Sequence, residues 1–394
     1  MINTIIDSQS IENAHTSGAY SKRPLTLLRG QGAYVYDEAD NAYLDLTSGM
    51  GVALLGHAHP AVADAIARQA HTLITCAEIF YNDQRARLYE LLDGLLGAEF
   101  GRYFLCNSGA EAIEGALKIA RLLTGRTSVV ACKRAFHGRT LGALGMTWNT
   151  AYREPFTGWT LPNVTHIAYN DISALETAIT DQTAAVVLEA VQGEGGVYVI
   201  DSEFLREARR LCTERGALLI MDEIQTGLGR TGRWFGYQHA DIMPDMVVLA
   251  KGLAGGVPMG AVAWRTALGN IENSTHGSTF GGNPLACASA VATIQTLQTI
   301  DAPTRANNLG VLFLNALREH NLTGVREIRS LGLMVGLELR GRVSPVVQAL
   351  QARGVLALIA GKTVLRFLPP LIITGAELEQ TTSILADVLN EVGA

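Results

Sequence analysis

Between about residues 100 and 265, short β-branched apolar runs alternate with helix-like segments, and this alternation constrains the fold more than any other feature. The runs fall at residues 103–106, 129–132, 164–168, 184–188, 217–221 and 246–250. Strands that each return through a helix predict an α/β domain with a mostly parallel sheet. Asp201-Ser-Glu-Phe-Leu-Arg-Glu-Ala-Arg-Arg-Leu opens on capping residues, turns basic late and stops at Gly216, so it reads as one of the crossover helices. After Pro284 an Ala-rich stretch to Ile300 predicts a long helix. From Arg326 onward strands alternate with two amphipathic helices, which predicts a second, smaller C-terminal domain. A chain of 394 residues, 48% of them hydrophobic, can bury cores of that size. No internal repeat, low-complexity tract or long linker separates the parts, so they are expected to pack closely.

Charge and composition exclude several classes of partner. A net charge of −6 gives no basic field for nucleic acid or an anionic membrane. No run approaches the ~18 apolar residues of a membrane span. The first ten residues lack a basic region followed by an apolar one, so a cytoplasmic location is expected. Cys76, Cys106, Cys132, Cys212 and Cys287 lie far apart with no C-x-x-C, the pattern of reduced core cysteines rather than a disulfide framework or a zinc site. His57-x-His59 lacks a nearby third ligand and reads as loop structure; no metal is expected.

Chemistry concentrates at the ends of the predicted strands. Asp222 follows Ala-Leu-Leu-Ile-Met, and Lys251 follows Met-Val-Val-Leu-Ala, so both groups should emerge where neighbouring strands end. A lysine can hold the aldehyde of pyridoxal phosphate as a Schiff base, and a buried carboxylate can keep its pyridine nitrogen protonated. The competing reading is a charge closing each strand. Asn107-Ser-Gly-Ala-Glu-Ala-Ile-Glu follows a strand and opens a helix, and the free N–H groups of Ser108, Gly109 and Ala110 would form an anion site for a phosphate. Alternatively, Ser108 is a plain N-cap. Phe136 could stack on a pyridine ring and Arg139 could clamp a carboxylate through two parallel hydrogen bonds; a core aromatic and a surface ion pair would look the same. Arg366 is set inside an apolar strand and needs an acidic partner or a ligand carboxylate; Glu194, in Gln192-Gly-Glu-Gly-Gly, is the candidate, and a permanent structural ion pair is the alternative. Gly227-Leu-Gly-Arg-Thr-Gly232 matches the dinucleotide fingerprint in form only. Arg-Trp-Phe-Gly-Tyr-Gln-His follows where a helix of small residues should begin, and no acid completes a strand–helix–strand unit.

Taken together, Asn-Ser-Gly-Ala-Glu-Ala, Phe-His-Gly-Arg-Thr, Gln-Gly-Glu-Gly-Gly, Met-Asp-Glu-Ile-Gln-Thr-Gly-Leu-Gly-Arg-Thr-Gly, Leu-Ala-Lys-Gly and His-Gly-Ser-Thr-Phe-Gly-Gly-Asn-Pro-Leu-Ala resemble, in order, the class III (subgroup II) pyridoxal-phosphate aminotransferases. Ser-Lys-Arg-Pro-Leu-Thr-Leu-Leu-Arg-Gly-Gln-Gly and Leu-Arg-Phe-Leu-Pro-Pro-Leu-Ile-Ile look like the acetylornithine enzymes and those acting on lysine or ornithine linked to an amino-group carrier protein. The resemblance implies the type I fold: a large α/β domain, a mostly parallel sheet and a smaller α+β domain. It implies that residues 1–50 join the small domain formed by 291–394, with 51–290 binding pyridoxal 5'-phosphate.

Carried over by position, Lys251 forms the Schiff base and shuttles the proton, Asp222 pairs with the pyridinium nitrogen, and Gln225 reaches the ring hydroxyl. Ser108, Gly109 and Ala110 resemble the phosphate loop, and Phe136 the stacking ring. Thr279 resembles the threonine that reaches the neighbouring subunit's phosphate, which implies a homodimer with shared sites. Arg139 looks like the α-carboxylate clamp, and Arg366, masked by Glu194 in one half-reaction, like the site for 2-oxoglutarate. Ala110 and Ala190 depart from the family's frequent threonine and proline; the first removes one possible phosphate hydroxyl. The implied activity moves the terminal amino group of an N-blocked ornithine or lysine to 2-oxoglutarate, in arginine or lysine biosynthesis. Ornithine and 4-aminobutyrate aminotransferases, a class III racemase or mutase, and a non-enzymatic pyridoxal-fold regulator are the competing readings.

Overall fold

The computed structural model describes residues 7–393. Its centre is a seven-stranded sheet in the spatial order Phe100–Cys106, Gly260–Arg265, Met246–Leu249, Leu218–Asp222, Thr183–Glu189, Ser128–Cys132 and Val164–Ile167. Six of these are the predicted runs, with ends moved by one to three residues. Gly260–Arg265 is an addition: it lies antiparallel to both neighbours, and the remaining strand pairs are parallel. Thr183–Glu189 is buried along its whole length because helices cover both faces of a parallel sheet, which is why its sequence is continuously apolar rather than alternating. Each fully buried valine or leucine there contributes roughly 1.5–3 kcal/mol by leaving water.

The connecting helices follow their local chemistry. Ser202–Arg215 starts after Asp201 and ends at Gly216, whose φ of 66° is the left-handed cap glycine adopts without strain. The Asp201 side chain itself makes no cap bond. Pro284–Thr299 begins with proline at its first turn, and Asn283 accepts from the N–H of Ala286. Ala302–Glu319 packs on Gly375–Val392, beside a four-stranded antiparallel sheet of Val325–Leu331, Met334–Leu339, Val364–Phe367 and Leu358–Ala360. A further sheet joins distant parts of the chain, because Val355–Leu356 pairs in parallel with Ala42–Asp45. Cys106, Cys132, Cys212 and Cys287 are buried free thiols, and Cys76 is half-buried. His57 donates to or accepts from the buried Asp45 at 2.8 Å, so its ring is engaged within the fold. Among the described residues no helix is long and apolar enough to cross a membrane.

Candidate active site

Parallel strands deliver their carboxyl ends to one edge of the sheet, and the predicted chemistry collects there. Asp222 closes its strand, level with Val248 on one neighbour and Glu189 on the other. Lys251 follows the Met246–Leu249 strand by two residues, so the two groups emerge side by side. Lys251 holds a φ of 42°, the left-handed region that costs a residue with a Cβ, and such strain concentrates at functional positions. Burial pulls its ammonium below the ordinary lysine range, Glu194 opposes this and Arg366 adds to it. A neutral amine is a nucleophile and a base; an ammonium is neither.

These side chains line a cavity of about 420 Å³ with Ser108, Gly109, Ala110, Phe136, Arg139, Glu194 and Gln225. Its floor is the start of the Gly109–Thr124 helix. Ser108 caps that helix by accepting from the N–H of Glu111 at 3.1 Å, while Glu111 accepts from the N–H of Asn107 at 2.6 Å. Both readings of Ser108 therefore meet in one residue. Its hydroxyl serves the helix, and the N–H groups of Gly109 and Ala110 have no preceding turn to bond, which leaves them available to an anion. A Cβ at Gly109 would stand 2.9 Å from the Ile224 side chain, so glycine is required for the loop to pass so close to Asp222's own turn. Gly138 has a φ of 136°, and a Cβ there would meet Ala110 at 3.0 Å, which shows how tightly the 136–139 turn covers the helix start.

Arg366 lies just behind the cavity wall, fully buried in the Val364–Phe367 strand. Its Nη2 is 2.7 Å from Glu194 Oε1, and its Nη1 donates to Gln225 Oε1 at 3.4 Å. The acidic partner expected for a strand arginine is thus Glu194. The pair lacks the alignment of a hydrogen bond, and Arg366 Nε has no acceptor among the described residues, so the guanidinium retains donors for an incoming anion. Arg139 is exposed at the cavity mouth. Thr279 stands apart: it is exposed and does not line the cavity, although its neighbour Ser278 accepts from the Asn107 side chain at 3.2 Å. Arg230 of the Gly227–Gly232 segment is fully buried and donates to the carbonyls of Leu333 and Pro369, a structural turn rather than a dinucleotide loop.

Two members of the site were not singled out by the sequence. His137 is buried and its Nδ1 lies 2.7 Å from Asp222 Oδ2, so the carboxylate places the ring proton on Nδ1. Glu189 is buried beside Asp222 and accepts from the N–H of Phe136 at 3.2 Å. Burial, then the Asp222 charge, holds its carboxyl well above the usual carboxylate range. The signal was present: Glu189, like Asp222, is an acid closing an apolar strand. Glu189→Gln should stabilise the cofactor-free protein, and the gain should grow as pH rises. Above pH ~4.3 the unfolded chain releases this proton while the native site keeps it, so native stability falls by about 1.4 kcal/mol per pH unit until Glu189 itself ionises. Glutamine has no proton to lose. Urea unfolding of parent and variant at pH 5 and pH 8 reads the difference; an equal gap at both pH values would mean Glu189 ionises normally.

A family model described as aminotransferase class-III matches residues 16–389. The chain belongs to this family. It is 44% identical to the acetylornithine aminotransferase of Methanopyrus kandleri over 98% of this chain and 100% of that protein. It is also 44% identical to the [LysW]-aminoadipate semialdehyde transaminase of Deinococcus radiodurans, over 97% of this chain and 90% of that one. The ornithine aminotransferase of Toxoplasma gondii superimposes with a TM-score of 0.93 at 35% identity, covering 98% and 94% of the two chains. A second structure of that enzyme carries pyridoxal phosphate at partial occupancy in its active site.

Class III aminotransferases use pyridoxal phosphate, and the residues present fit it. The helix start offers N–H donors to a phosphate, Lys251 offers an amine to an aldehyde, Asp222 a carboxylate to a ring nitrogen, and Phe136 an aromatic wall. A cavity of this size suits a small cofactor with a substrate. As an aminotransferase the chain requires an amino-acid donor and a keto-acid acceptor.

Proposed function

We propose that this aminotransferase moves the terminal amino group of an N-blocked ornithine or lysine, N-acetylated or linked to an amino-group carrier protein, to 2-oxoglutarate, in arginine or lysine biosynthesis. The observation that carries this reading is the Glu194–Arg366 pair at 2.7 Å at the cavity wall, with an exposed Arg139 lining the same cavity. The two relatives named above at 44% identity act on such substrates by their names and favour the same class. The likeness to an ornithine aminotransferase favours free ornithine as the second reading. Turnover compared across N-acetylornithine, ornithine, 4-aminobutyrate and carrier-linked lysine tests both. A best rate on 4-aminobutyrate would sink them together.

When bound, pyridoxal phosphate supplies an electron sink that stabilises negative charge on the substrate carbon. On this reading Gly109 and Ala110 hold its phosphate, Phe136 covers its ring, Gln225 faces its hydroxyl, and Asp222, oriented by His137, keeps its nitrogen protonated. Lys251 Nζ would take the proton from the substrate carbon that bears the amino group and deliver it to the cofactor's former aldehyde carbon, the 1,3-proton shift that leaves the amino group with the cofactor. Arg139 holds the distal carboxylate of the donor. Residues 51–290 would form the cofactor-binding domain, with 1–50 and 291–394 a small domain that contributes Arg366; residues 1–6 lie outside the described chain.

Thr279 suits a role toward a second copy. It lies on a surface with exposed Ile79, Phe80 and Phe280, and Arg85 ties this surface together by donating to the carbonyls of Cys76, Phe80 and Gly282. A homodimer covering that apolar patch would bring each Thr279 to its partner's phosphate site. We place the enzyme in the cytoplasm.

The pocket must take an ω-amino donor whose reacting end is followed by methylenes, then a keto acid whose reacting carbon bears a carboxylate. Arg366 helps the second and harms the first. Glu194 resolves the conflict by neutralising Arg366 for the donor and releasing it for the acceptor. Glu194→Ala should shift the ratio of kcat/KM toward glutamate over the ω-amino donor by roughly tenfold or more. Separate half-reactions measure it; an unchanged ratio would return the pair to a structural role.

A further inference from the structure

Arg139 is the one cavity-lining cation left at the mouth without a carboxylate partner among the described residues. A free arginine side chain at that exposure samples many rotamers, and a clamp that must be ordered by each substrate binds weakly. Here the ordering comes from an aromatic ring. The Arg139 guanidinium carbon stands 3.4 Å above the centre of the Tyr152 ring, the separation of two planes in contact. Tyr152 in turn meets Phe136 edge to face, with centroids 6.5 Å apart at 86°. Its segment is anchored to the same turn that carries Arg139, because Trp148 donates its N–H to the Ala135 carbonyl at 2.8 Å and Tyr152 donates to Asn149 O at 3.1 Å. An acidic partner would fix Arg139 equally well but would cancel the charge the substrate needs. A ring face fixes the plane of the fork and leaves both N–H edges free.

We infer that Tyr152 is the positioning residue for Arg139, holding its guanidinium flat at the cavity mouth so that it is set for the carboxylate of the amino donor. The inference rests on the reading of Arg139 as the donor's carboxylate clamp. A ring that orders the clamp should act on substrate binding and only for substrates that carry the carboxylate.

The test uses the holoenzyme and the ω-amino donor with the highest kcat/KM in the series above, alongside its decarboxylated counterpart: N-acetylornithine with N-acetyl-1,4-diaminobutane, or ornithine with 1,4-diaminobutane. Tyr152→Leu should raise KM for the carboxylate-bearing donor roughly fivefold or more, with kcat within about twofold. It should leave kcat/KM for the decarboxylated amine at the parent value. Tyr152→Phe, which keeps the ring and loses the hydroxyl, should restore the parent KM. Arg139→Ala should raise KM for the carboxylate-bearing donor by at least about tenfold, and Tyr152→Leu should add nothing in that background. If Tyr152→Leu does not accumulate, Tyr152→Met, closer in volume, carries the same comparison. Equal losses on both donors, or no change in KM, would overturn the positioning role while Arg139→Ala still discriminates. Arg139→Ala affecting both donors alike would overturn the clamp and the inference with it.

Discussion

Lys251→Ala is expected to abolish turnover, with kcat falling by at least about 10³-fold. The size follows from the number of tasks gathered on one atom. Proton transfer by a positioned side chain contributes roughly 10²–10⁴-fold, and the same Nζ is the amine that would attach the cofactor. The site prepares that amine: burial lowers its pKa, with Arg366 acting in the same sense, so that less of it is held as ammonium. Alanine keeps the Cβ and hence the strained φ of 42°, and it removes a half-buried amine rather than an apolar contact. The cofactor-free variant should therefore unfold at a urea concentration no lower than the parent's. The purified parent should be yellow from tightly held cofactor, and the variant should release its cofactor on dialysis. A variant that retained full transamination with the same substrate pair would remove Lys251 from the chemistry, whatever its stability.

The parts of the molecule that were legible in the sequence are those set by local pattern. A continuous apolar run such as residues 184–188 has few physical outcomes besides a buried strand, and an acid or a lysine at the end of such a run must emerge at a sheet edge. Gly260–Arg265 was passed over because Gly255-Gly-Val-Pro-Met precedes it and reads as loop, while one of its two antiparallel partners, Phe100–Cys106, lies more than a hundred residues away. The Glu194–Arg366 pairing could be argued because a buried guanidinium demands an anion. What was not legible depended on distance in space. His137 pairs with Asp222 across 85 residues, and the stacking of Tyr152 on Arg139 depends on how the short Thr150–Arg153 helix returns to the 136–139 turn. The Phe136-His-Gly-Arg segment announced an imidazole but not its partner. Ser108 illustrates a third case, in which the sequence offered two roles: the side chain caps the helix, and the adjoining backbone N–H groups are left for the proposed anion site.

Asp222→Ala and Asp222→Asn should each slow proton abstraction from the substrate carbon by on the order of 10²-fold or more, for the same reason but with different effects on the protein. An aromatic nitrogen with no carboxylate beside it loses its proton, and the electron sink weakens; losing one preorganised electrostatic partner in a water-poor site has a cost of that size. Asp222 is well placed for the task. It is buried, one oxygen accepts from the N–H of Ile224 at 3.1 Å, and the other is held by His137 at 2.7 Å. Glu189 beside it is pushed toward its neutral form by burial and by the Asp222 charge. Asparagine keeps an oxygen for the His137 Nδ1 proton and loses only the charge. Alanine also strands that proton, and because His137 Nε2 already lacks a partner among the described residues, both nitrogens of a buried imidazole would be left unbonded. The alanine variant should lose roughly 1–3 kcal/mol of stability that the asparagine variant keeps. Single-turnover rates and urea midpoints measured on both variants separate the two effects. Slow turnover in Asp222→Ala with a parent rate in Asp222→Asn would assign the loss to His137's disorder instead of the missing charge.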